Sequence, residues 1–137
     1  MILIESDLLR AALSREDKHN TEAVSILDKF ENKLVLSPYS VVEIDLILKA
    51  GVIKVSDYEA FHKMLESVLE YRGIKILAPK PIYHAKAYEF REKYGLTYFD
   101  SLHASICALE GFELVSFDRV YESVVEVKYK HPSQLIS

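Results

Sequence analysis

The chain has 137 residues, half of them hydrophobic and 28% charged, which fits one globular domain over 1–137 and is short for two. Its 17 Lys and Arg against 21 Asp and Glu leave a net charge of −4, so nucleic acid is not gripped by bulk positive charge alone. The one cysteine, Cys107, excludes an internal disulfide and a Cys-rich metal site; no apolar run has the length of a membrane span, and the absence of a basic leader before Met1-Ile2-Leu3-Ile4 makes the cytoplasm the expected location.

Met1 to Ile4 is a short apolar run that reads as a buried strand. Glu5-Ser6-Asp7 follows as a turn, and Leu8 to Leu13 as a helix. His19 to Phe30 carries Ala23, Ile26, Leu27 and Phe30 at helical spacing. Leu34-Val35-Leu36 is the second strand. Ser37 is placed to cap the next helix, with Pro38 in its first position, and Val41, Ile44 and Leu48 form that helix's apolar face. Ser56, with Glu59 three residues on, suggests a capping box opening a helix to Tyr71, whose stripe is Phe61, Leu65, Val68 and Leu69. That stripe suits helix packing and a dimer contact. Ile74 to Leu77 reads as a strand and Pro79 to Tyr94 as a helix ended by Gly95. Asp100 sits where the next helix should start; Leu102, Ile106 and Leu109 recur at its period, and Gly111 stops it. Glu113 to Phe117 is a fourth strand, Val120 to Val125 a further turn, and Val125 to Tyr129 an alternating edge strand. Strand and helix alternate throughout, which predicts an α/β fold: three layers, with a central parallel sheet of four to five strands.

Several acids stand inside apolar sequence. Glu5 and Asp7 follow the first strand, Glu43 lies in the helix after the second, Asp100 precedes a nearly all-apolar helix, and Asp118 ends the fourth strand. In open parallel sheets the ligand crevice lies beyond the C-terminal ends of the strands. A carboxylate in apolar surroundings is paired, protonated or bound to a cation. Carboxylates converging on one crevice suit a hard divalent cation with oxygen ligands, Mg²⁺ or Mn²⁺ rather than Zn²⁺. Such a centre polarises a phosphoryl oxygen and activates water, the chemistry of phosphodiester hydrolysis. Each acid also has an ordinary structural use, as an N-cap at Asp100 and Asp118 or a first-turn acid at Glu43 and Asp7. It is the set that points to a site. His103 suits a satisfied core histidine or a group that orients a ligand. Tyr39 and Tyr98 suit packing first and stacking on a base second. Arg10, Arg15, Lys18 and Arg119 suit a solvated surface or a basic rim.

Together, MILIESDLLRAAL, LSPYSVVEI, GLTYFDSLHASICALEGFELVSFD and HPSQL resemble the PIN domain, the metal-dependent nuclease domain of VapC-type toxins in toxin–antitoxin pairs. The resemblance covers nearly the whole chain. Glu43, Asp100 and Asp118 fall on the family's acidic positions, and Ser116 on its hydroxyl position. The first position departs: Glu5-Ser6 stands where the family has Asp-Thr or Asp-Ser, with Asp7 two residues on. The resemblance implies a PIN-like endoribonuclease acting on single-stranded RNA with Mg²⁺ or Mn²⁺, a homodimer, and an antitoxin partner. Glu5, Glu43, Asp100 and Asp118 would be catalytic. The metal would lie on Glu5 or Asp7 with Glu43, Asp100 and Asp118, and Ser6 and Ser116 would orient them. The alternative is a PIN-fold interaction module, weak or silent in catalysis, that binds a protein partner or an RNA-processing complex.

Overall fold

The computed structural model describes residues 1–136. Five strands, β1 (Ile2–Ile4), β2 (Leu34–Leu36), β3 (Lys75–Ile76), β4 (Glu113–Val115) and β5 (Lys128–Lys130), form one parallel sheet in the order β3-β2-β1-β4-β5. The register sets Ile4 beside both Leu36 and Val115. Six helices connect them: α1 (Ser6–Leu13), α2 (Asn20–Lys29), α3 (Pro38–Lys49), α4 (Tyr58–Tyr71), α5 (Pro81–Tyr94) and α6 (Tyr98–Glu110). This is the three-layer α/β arrangement read from the sequence, with the edge strand included.

Strand side chains alternate between the two faces, and the burial follows. Leu3, Val35 and Leu114 pack on one side with Tyr83, Ala87 and Phe90 of α5 and Leu102 and Ile106 of α6. Ile4, Leu34, Leu36 and Val115 face the other side, against Leu8, Leu9, Ile26, Leu27, Leu65 and Leu69. Removing one of these side chains to Ala costs about 2–5 kcal/mol. Among the described residues no helix is long and apolar enough to cross a membrane.

Several boundaries differ from the sequence reading for local reasons. The helix α1 begins at Ser6 directly after the strand, with Glu5 in the cap position, so Asp7 is helical rather than part of a turn. For α4 the cap is Asp57, whose carboxylate accepts from the Ala60 N–H at 3.0 Å. Glu59 there pairs with Lys63 instead of closing a box with Ser56. The helix α6 starts at Tyr98 with Thr97 as its cap, so Asp100 lies in the first turn and does not open it. Ser37 and Pro38 do what the sequence indicates. The strand β3 shrinks to two residues, and β5 begins at Lys128. Gly111 ends α6 at φ 73°, a left-handed conformation that glycine adopts without steric cost.

Candidate functional site

The C-terminal ends of β1, β2 and β4 open toward one side, and three elements bring acids together there. Glu5 follows β1 at the cap of α1. Glu43 comes from the second turn of α3, whose start is fixed by the Ser37 cap and Pro38. Asp100 comes from the first turn of α6. Carboxylate oxygens of Glu5 and Glu43 and a ring nitrogen of His103 lie within 4.8 Å of one another. Glu5 is 4% exposed and His103 is fully buried.

Tyr121, fully buried in the 3₁₀ turn that directly follows β4 (Arg119–Ser123), joins Asp100 to the group. Its hydroxyl donates to Glu5 Oε2 in a short hydrogen bond and stands 3.1 Å from Asp100 Oδ1. Glu43 is held from two sides. Ser6 Oγ donates to its Oε1 at 2.6 Å, and His103 Nε2 lies 3.3 Å from the same oxygen. A carboxylate only accepts, so Nε2 carries the proton. His103 Nδ1 faces Ser37 Oγ at 2.8 Å, and that hydroxyl also accepts from the Tyr39 N–H at 3.2 Å. The cap of α3 thus also orients the imidazole that orients Glu43.

Charges in this group are unbalanced. Among the described residues, no Lys or Arg forms an ion pair with Glu5, Glu43 or Asp100, and His103 stands opposite Glu43. Burial first, then the nearby Asp7 carboxylate, raises the Glu5 carboxyl well above its ordinary pKa; Asp100 and Glu43 add to this, against the Tyr121 hydrogen bond. For Glu43 burial also works upward, but the hydrogen bonds from His103 and Ser6 outweigh it and the carboxyl is lowered. Burial, and then the same two carboxylates, Glu5 and Asp100, raise the Tyr121 phenol well above its ordinary value.

Asp7 and Asp118 are placed differently. The Asp7 carboxylate accepts from the Leu8 N–H at 2.6 Å, and from Ser116 Oγ and the Phe117 N–H, each at 2.9 Å. It ties α1 to the end of β4. Burial raises its pKa against these donors. Asp118 is exposed and its carboxylate caps the 3₁₀ turn through the Val120 N–H at 3.0 Å. Its own N–H donates to Ser116 Oγ at 3.0 Å. The structure therefore brings together Glu5, Glu43 and Asp100. It sets Asp7 and Asp118 on either side of Ser116, at the end of the neighbouring strand. Arg119 of the expected basic rim pairs with Glu122 at 3.0 Å. Arg10 is half-buried on α1, and its charge contributes to the lowering at Glu43.

Tyr121 is the residue that sequence reasoning missed. An aromatic side chain in a short turn carries no local sign of a polar role, and its hydroxyl acquires one only when β1 and β4 pair.

A family model described as "PIN domain" matches residues 2–127. Among curated proteins nothing matches. Solved structures are similar over nearly the whole length, among them the following. FitAcB from Neisseria gonorrhoeae has a TM-score of 0.71 at 20% identity, covering 97% of this chain and 99% of that one. VapBC2 from Rickettsia felis, bound to a DNA fragment from its promoter, has a TM-score of 0.71 at 19% identity, covering 96% and 98%. A toxin–antitoxin complex from Klebsiella pneumoniae has a TM-score of 0.70 at 14% identity, covering 96% and 98%. At these identities the likeness is one of fold.

Proposed function

Since the chain belongs to the PIN-domain family, we propose that it is a divalent-metal-dependent endoribonuclease that hydrolyses phosphodiester bonds of single-stranded RNA, built as a single domain over 1–137. The observation that carries this reading is the convergence of Glu5, Glu43 and Asp100 at the strand ends, without a paired Lys or Arg. Three oxygen-donor side chains with excess negative charge fit a hard cation, Mg²⁺ or Mn²⁺. His103, turned toward Glu43 rather than solvent, supports the carboxylate in its donor pose.

Glu5, Glu43 and Asp100 would hold the cation, with Asp118 approaching from the end of β4. A divalent ion in this place supplies charge to a phosphate oxygen and acidifies bound water. The protein's own contributions are positional. Ser6 and His103 fix the Glu43 carboxylate, the Tyr121 hydroxyl stands between Glu5 and Asp100, and Ser116 orients the neighbouring pair of Asp7 and Asp118. Next to the acids, phosphate binding depends on the cation; contacts farther along the RNA rest on local features of the surface and not on bulk charge, since the net charge of −4 opposes a polyanion.

The fold shared with toxin–antitoxin structures supports a toxin role with an antitoxin protein as partner, and a homodimer in the cytoplasm is part of the same proposal. The experiment is cleavage of a labelled single-stranded RNA with Mn²⁺ or Mg²⁺, with EDTA, and with the Asp100→Asn variant. The expected result is metal-dependent cutting that falls by at least about 100-fold in the variant. A folded protein that binds Mn²⁺ tightly and cuts no RNA would sink the ribonuclease reading; one that neither binds Mn²⁺ nor cuts would instead be the interaction module.

A further inference from the structure

Beside the acidic cluster, α5 and the start of α6 present aromatic rings arranged around one arginine. His84, Tyr88 and Arg91 are spaced four and three residues apart, so one face of α5 carries all three. Tyr88 is 61% exposed and Tyr98, at the first position of α6, is 53% exposed. The Arg91 guanidinium carbon lies 5.3 Å from the Tyr98 ring centroid and 6.0 Å from that of Tyr88. Its Nη1 donates to Ser101 Oγ at 2.9 Å, and Ser101 Oγ donates to the Tyr98 carbonyl at 2.6 Å. The guanidinium is therefore held in place by a hydroxyl and by two rings, not by a counter-charge. Among the described residues no carboxylate pairs with Arg91, whereas Lys86 and Lys93 of the same helix pair with Glu89 and Glu126. Tyr98 and Ser101 share the first turns of α6 with Asp100, and His84 of the same α5 face meets the Tyr39 hydroxyl at 3.1 Å, one helical turn before Glu43 on α3, so the patch lies at the same end of the sheet as the acids.

We propose that Tyr88, Arg91 and Tyr98 form a stacking subsite that holds an unpaired nucleobase of single-stranded RNA beside the Asp100 site. The assignment rests on the ribonuclease reading for the kind of polymer. A planar cation between two exposed rings offers flat surfaces to a base, and its uncompensated charge suits the adjoining phosphate. Stacking of this kind accepts any base, and it rejects a duplex, whose base faces are covered. A neutral protein surface would make use of the rings but not of the free guanidinium.

The test is fluorescence anisotropy of a labelled unpaired RNA of about twelve nucleotides, in EDTA so that no cutting occurs. Tyr98→Ala and Tyr88→Ala should each weaken binding by roughly 5- to 100-fold, the range that loss of one stacked base gives. Tyr98→Phe should bind within about twofold of the parent, because the ring and not the hydroxyl carries the contact. Arg91→Lys keeps the charge, loses the plane and should weaken binding. Binding to a duplex of the same sequence should not change across the set, and thermal melts verify that each variant is folded. Alanine variants that bind unpaired RNA as the parent does would overturn the subsite. So would a parent that binds no unpaired RNA, or variants whose only change is in oligomeric state, which would make this face a protein contact. Ring-dependent binding without cleavage would leave the subsite standing and remove the nuclease. Cleavage lost only in Asp100→Asn, with the ring variants unaltered, would remove the subsite alone.

Discussion

Glu5 and Asp7 are two residues apart in sequence and live in opposite electrostatic settings. Asp7 accepts three hydrogen bonds, two from backbone N–H groups and one from Ser116. Glu5 receives one, from a phenol it shares with Asp100, and otherwise faces Glu43 and His103. Both are raised by burial, yet only Asp7 has several donors pulling the other way. A buried carboxylate supplied with donors fastens two elements together. One left among other carboxylates has binding capacity to spare. The contrast separates a structural acid from a site acid more cleanly than burial does.

Four substitutions test that division. The largest effect should come from Glu43→Gln, which leaves one oxygen acceptor and removes the charge: Mn²⁺ affinity, read by calorimetry, should fall by about 100-fold, while the metal-free protein at neutral pH loses only the stability that the lowered carboxyl contributes, less than Asp7→Ala loses. Asp7→Ala should do the reverse. It strands the Ser116 hydroxyl and the Phe117 N–H, and thermal unfolding should show a loss of about 2–4 kcal/mol. If instead Asp7→Ala mainly weakens Mn²⁺ binding, the distinction fails. Glu5→Gln should stabilise the metal-free protein at neutral pH by roughly 1 kcal/mol. The sign follows from the direction of the shift. A carboxyl raised in the fold contributes fully below its ordinary pKa of 4.5 and loses that contribution as pH rises through the folded value. In EDTA, the parent should therefore lose stability on that rise relative to Glu5→Gln, and the two should agree in acid. Glu43, lowered in the fold, has the opposite sign: its contribution is present above its ordinary value and is lost on acidification. The smallest effect should be that of Ser116→Ala, about 1 kcal/mol in the same melts, since Asp7 keeps its two backbone donors.

The fold was legible because each element declares itself locally. Ser37-Pro38 marks the start of α3, Gly95 and Gly111 mark helix ends, and the strands are short apolar runs with helices between them. Glu43 stood out as an acid in Val41-Val42-Glu43-Ile44, and Asp100 as one beside Tyr98-Phe99. Cap positions slipped by one to three residues where two candidates compete: Ser56 gave way to Asp57, and Asp100 to Thr97. What could not be read were the partners of the acids. Tyr121 reaches Glu5 from the far end of the chain, and His103 of α6 links the cap of α3, Ser37, to Glu43 of the same helix. Such pairings follow from the parallel register of the strands, which no local pattern encodes. The difference between Glu5 and Asp7 was hidden for the same reason, since the donors that satisfy Asp7 come from residues 116 and 117.

The position of β1 has a consequence in time. It is synthesised before the other four strands of the sheet and lies in their middle, so one of its two neighbours, β4, does not exist until residue 115 has been made. Contacts between such distant parts of a chain form late and slowly. A nascent chain carries Glu5, Glu43 and Asp100 well before it carries Tyr121, and lacks the strand that would gather them. Translation order thus imposes a delay: a polypeptide released before β4 is made has the acids but nothing to gather them, and the cluster assembles only after Tyr121 has been added.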